Sequence, residues 1–95
     1  MTTITIQSSQ PEAVTVALQS AIEHEVQQLT AVLGRTEKRL IALAREAGLE
    51  SQATVSEEEL PDTLAEDIRL EIEGEREIRH RVRQRLRILN DIQIC

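Results

Sequence analysis

From Val14 to Ala47 the aliphatic residues keep helical spacing: Val14, Leu18, Ile22, Leu29, Val32, Leu40, Leu43 and Ala47. At about 100° per residue these positions fall in one narrow stripe. A chain carrying such a stripe must bury it. The steps of three and four are those of a coiled-coil seam. The stripe predicts a helix over about residues 10–48. Ser9 with Glu12 reads as a capping box ahead of it, and Pro11 suits a first turn. Gly48, followed by Leu49, is a left-handed stop. Gly34 lies mid-helix, costs about 1 kcal/mol against Ala, and marks a candidate bend.

A second stripe follows a polar stretch. Leu64, Ile68, Ile72, Ile78, Val82, Leu86 and Leu89 predict a helix over about 61–90, with a turn over about 49–60. Ser56 with Glu59 is a second capping-box pattern, although Pro61 makes a start at 61 the better one. The ends are ambiguous. Ile4 and Ile6 alternate with threonines, and Ile92 and Ile94 flank Gln93 near the last residue. Period two and β-branching suggest short strands that could pair, within one chain or across two.

A short connection between long helices makes them antiparallel neighbours, and charge agrees. Residues 1–34 carry Glu12, Glu23 and Glu25 and no base. Residues 57–77 carry a net charge of −8, and residues 78–95 a net of +4. Folding about position 55 sets the acidic start of the first helix beside the arginine-rich end of the second. It also sets Arg35, Lys38, Arg39 and Arg45 near the acidic start of the second. Exposed pairs are individually weak, but their sum disfavours a parallel arrangement. Glu25 and Arg85 interrupt the two stripes at the same level, so they form a candidate seam ion pair. The alternative is that both side chains reach to the edge of the seam.

The expected fold is therefore all-α: a coiled-coil-like, single-domain antiparallel two-helix hairpin, with short terminal strands as an option. The chain has no Phe, Tyr or Trp. An aliphatic seam with no large ring to bury leaves apolar surface over. Pairing of two hairpins into a four-helix bundle follows as an expectation. The interface and core residues would be Leu18, Ile22, Leu29, Val32, Leu40, Leu43, Leu64, Ile68, Ile72, Ile78, Val82, Leu86 and Leu89.

Few chemistries have residues to carry them. Cys95 is the only cysteine, so an intrachain disulfide is excluded and a reducing compartment fits. The first residues lack the pattern of a signal peptide, and no run is long enough to span a membrane. The expected location is the cytoplasm. No Gly-rich phosphate loop is present, and no nucleophile has a base nearby, so the expectation is a protein that is not an enzyme and needs no cofactor. Glu77-x-x-His80 could join a metal-binding bundle. The helical wheel places Glu77 and His80 away from the stripe, and His24 too, so the expectation is no metal. Arg79, Arg81, Arg83, Arg85 and Arg87 invite a nucleic-acid reading. At spacing two, however, they spread around the helix, and there is no aromatic ring to stack bases. Arg79, Arg81, Arg83 and Arg87 are instead candidates to bind an acidic partner. A nucleic-acid-associated regulatory protein is the alternative function, and a metal-binding bundle a distant third.

Asp62-Thr63-Leu64-Ala65-Glu66-Asp67, Glu73-Gly74-Glu75 and the tail Leu89-Asn90-Asp91-Ile92-Gln93-Ile94-Cys95 resemble a group of small bacterial proteins common in cyanobacteria. Members of that group are encoded beside a toxin-like partner and regarded as antitoxins. The resemblance covers about residues 30–95. The group carries aromatic residues near the Gly-Glu step, and this chain carries none. The resemblance implies a partner-neutralising protein. Together these features point to a protein-interaction module whose partners are a second copy of itself and a further protein.

Overall fold

The computed structural model of the chain describes residues 2–5, 7 and 9–94. The elements run in the order β1 (Thr2–Ile4), α1 (Pro11–Ala47), α2 (Ser51–Val55), α3 (Glu66–Asn90) and β2 (Ile92–Ile94). The protein is mostly helical and elongated, 62 × 20 × 19 Å.

The long stripe accounts for α1. Pro11 stands in its first turn, where the missing N–H costs nothing. The expected capping box is not formed: Gln10 is the N-cap, and no side chain makes the capping bond. The stop is as expected. Gly48 takes φ 70° and ψ 24°; its N–H donates to the Arg45 carbonyl at 3.2 Å, and that of Leu49 to Ala44 at 2.8 Å. This is the Schellman arrangement, which satisfies the last carbonyls of a helix.

The connection differs from the expected plain turn. It contains the one-and-a-half-turn helix α2, and α3 begins at Glu66 instead of 61. Ser56 closes α2: its N–H donates to the Gln52 carbonyl and its hydroxyl to that of Ala53. It therefore caps no helix start. Pro61 disfavours helical geometry in the residue before it, and residues 61–64 form a turn in which the Leu64 N–H donates to the Pro61 carbonyl. Arg69 reaches back to that carbonyl as well. The turn swings Leu60 inward.

The core sits here. Leu40, Leu43, Leu60 and Ile72 are buried together, with Leu49, Val55, Leu64 and Ile68 packed against them. The segment that reads as polar linker thus contributes Val55 and Leu60 to the core. Arg76 fastens α2 to α3, donating at 3.1 Å to the carbonyls of Thr54 and Ala53.

α3 lies along the C-terminal part of α1. Arg39 meets Glu71 at 3.2 Å and Glu37 meets Arg83 at 3.3 Å. Leu29 shares a cleft with Leu89. The contacts thus descend α1 as they ascend α3. The terminal strands are both present and paired in parallel, Thr2 with Ile92 and Ile4 with Ile94. The expected pairing of Ile6 lies outside the described residues, as does Cys95.

Candidate interaction surfaces and the arginine ladder

Burial along α1 is uneven. Leu29, Thr36, Leu40, Leu43 and Ala44 are buried, and Val32 is half-buried. None of residues 11–28 is buried. A helix of 37 residues outruns one of 25 by about 18 Å at 1.5 Å per residue. Val14, Leu18 and Ile22 therefore continue the apolar stripe beyond the end of α3 and remain part-exposed.

On α3 the buried stripe differs from the expected one at a single position. Ile72 and Val82 are buried and Ile68, Leu86 and Leu89 half-buried, but Ile78 is 43% exposed and Arg79 only 2% exposed. Leu64, ahead of the helix, is also half-buried. The heptad explains the correction. Steps of four and three lead from Ile68 through Ile72, Glu75, Arg79, Val82 and Leu86 to Leu89, whereas Ile72 to Ile78 is a step of six and leaves the seam. Keeping strict period across the two charged positions would have revealed Arg79.

Ile78 instead belongs to a second face. Leu70 and Ile88 are each 59% exposed, and all three lie within about 80° of one another on the wheel. Leu70 and Ile88 were missed because they fall outside the seam period. Between α1 and α3 this face opens as a shallow cleft of about 500 Å³, with Leu29, Ile78, Arg81, Arg85 and Ile88 among its walls.

Glu25 and Arg85 line one neighbouring cleft with Leu29, Ile88 and Leu89, at the level expected for them. No ion pair joins them among the described residues, and Arg85 is exposed. The expected seam pair is replaced by two side chains at the seam's edge. Arg81 pairs with Glu77 one turn back at 3.0 Å. Arg83 pairs with Glu37 across the helices. Arg87 is exposed on a cleft that Arg83 also lines, beside Thr2, Leu86 and Asp91. Glu77 and His80 are exposed, and His24 hydrogen-bonds Gln28 at 3.0 Å. Among the described residues no group of His, Cys, Asp and Glu is placed to hold a metal ion. Among the described residues no helix is long and apolar enough to cross a membrane.

No family model matches the chain, and neither does any curated protein or solved structure.

Proposed function

We propose that this chain is a non-enzymatic, cytoplasmic protein-interaction module: an antiparallel helical hairpin that pairs with a second copy into a four-helix arrangement. In it, the projecting part of α1 in one copy docks on the exposed α3 face of the other. One observation carries the reading: the apolar stripe of α1 runs on through Leu18 and Ile22 past the end of its intrachain partner. An aliphatic stripe left in water favours a protein neighbour. Charge supports the docking. The projecting segment is flanked by Glu12, Glu23 and Glu25 and has no base, while the α3 face carries Arg81 and Arg85. The arrangement is reciprocal, as a two-fold dimer requires. Binding and neutralising a further protein, as the resemblance of the C-terminal half to antitoxins implies, would use the exposed arginine-rich end that dimerisation leaves open, Arg87 above all.

Sedimentation at micromolar concentration tests the first step. A dimer is the expected result, and a stable, well-folded monomer would remove the reading's foundation. Retention of DNA or RNA with a steep salt dependence would favour nucleic-acid association instead.

A further inference from the structure

Arginine does not shed its proton in a protein, so a guanidinium taken out of water stays charged and keeps five N–H donors to satisfy. Arg79 is in that position. It is 2% exposed. Among the described residues it has neither an ion-pair partner nor a hydrogen-bond acceptor. No side-chain nitrogen or oxygen in the described structure is fully enclosed without a partner, so the part of Arg79 left exposed is its guanidinium. It opens on a cleft of about 720 Å³ between α1, α2 and α3, with Arg83 beside it. Ile41 and Val55 give that cleft apolar walls, Ser51, Ser56 and Gln52 bring hydroxyls and an amide to it, and the Glu57 carboxylate also lines it.

The nearby acids do not discharge Arg79. Glu57 and Glu37 both favour its charged form, but Glu57, in the wall of the same cleft, is exposed and makes no ion pair with it among the described residues. Glu37 is held by Arg83 at 3.3 Å. Burial, and then the like charge of Arg83, push the guanidinium below arginine's ordinary range, and Arg76 adds to this. An apolar side chain of similar length would fill the position without the desolvation cost, so what Arg79 adds there is a charge facing the cleft.

We propose that this cleft binds an oxyanion, the phosphate or carboxylate group of a small ligand, held by Arg79 and Arg83 with the ligand's apolar part against Ile41 and Val55. The planar guanidinium matches the paired oxygens of such groups. Hydrogen bonds between a guanidinium and an oxyanion are charge-assisted and stronger than neutral ones. The cleft lies apart from the faces proposed for dimerisation, so the site stands whether or not the chain dimerises.

The test is an amide chemical-shift titration of the full chain with inorganic phosphate and, separately, with acetate, at constant ionic strength. Saturable shifts confined to Ile41 and residues 51–57 and 79–83 are expected. Arg79→Met should weaken binding about tenfold or more. It should also raise the melting temperature in anion-free buffer, by removing an unpaired buried charge, and lose the further rise that the anion gives the parent protein. Arg83→Gln keeps Arg79 in place and should weaken binding severalfold, which covers the case in which Arg79→Met does not fold. Lys38→Gln, at an exposed position of α1, should leave the affinity unchanged. Tighter saturation by phosphate assigns a phosphorylated ligand, and tighter saturation by acetate a carboxylate. No saturable shift with either anion, or an affinity unchanged in either arginine variant, overturns the proposal.

Discussion

Leu40, Leu43 and Ile72 are fully enclosed in a chain that has no aromatic ring to share the burial, so each carries a large part of the stability. Truncating Leu43 to Ala should cost about 2–5 kcal/mol. The whole stability of a domain this size is about 5–15 kcal/mol. Urea unfolding that shows a loss under 1 kcal/mol would mean the core is far looser than its exposure indicates. The glycines offer a sharper contrast. Gly48 sits at φ 70°, where a Cβ is strained, so Gly48→Ala should destabilise by about 1 kcal/mol. Gly34 and Gly74 are in helices, and a Cβ at either would meet nothing within 4 Å. Each should gain about 1 kcal/mol as Ala. The same substitution thus changes sign with position, which one series of unfolding midpoints can check. If Gly34→Ala or Gly74→Ala instead weakens dimerisation while stabilising the helix, the open space above it is where a second chain approaches.

At the scale of elements, α1 was legible because its signals agree: one apolar stripe, a proline at its first turn and a glycine just past its end. The beginning of α3 was not, because Leu60, Pro61 and Leu64 fit a helical stripe as well as a buried turn. Only tertiary burial of Leu60 decides between them. Nor was α2, whose five residues carry no amphipathic period. Of the candidate surface, the projecting stripe of α1 was readable, whereas the exposed α3 face was hidden by assigning Ile78 to the seam. α2 owes its position largely to Arg76, whose two bonds to the Ala53 and Thr54 carbonyls place a cation at a helix C-terminus, where the dipole favours it. Arg76→Ala should cost about 1–3 kcal/mol, the range for charged hydrogen bonds. It should also raise hydrogen exchange over residues 51–56 more than in α1. Uniform protection across the chain in that variant would show that Val55 and Leu60 hold α2 without the arginine.

At the scale of the whole molecule, the projection of α1 leaves two apolar faces on one chain, one flanked by acids and one by arginines. Either face could in principle meet its own copy, or each could meet the other. The two arrangements give different outcomes for two double variants. Leu18→Glu with Ile22→Glu spoils the projecting stripe and adds to the acids there. Ile78→Glu with Ile88→Glu spoils the α3 face and offsets its arginines. All four positions are part-exposed or exposed in the single chain, so helix content by circular dichroism should hold in each variant. In the reciprocal dimer each double variant alone loses both docking contacts and should sediment as a monomer. Mixing the two restores one intact contact, the unaltered stripe of the second variant on the unaltered α3 face of the first. The mixture should therefore form a heterodimer weaker than the parent dimer, yet measurable at concentrations where neither variant associates alone. Were stripe to meet stripe, the α3 variant alone would remain dimeric and the mixture would gain nothing. Were α3 face to meet α3 face, the stripe variant would be the one to stay dimeric. Raised salt should weaken the mixed dimer only modestly, because exposed charge pairs orient the docking while the aliphatic contacts supply most of its strength.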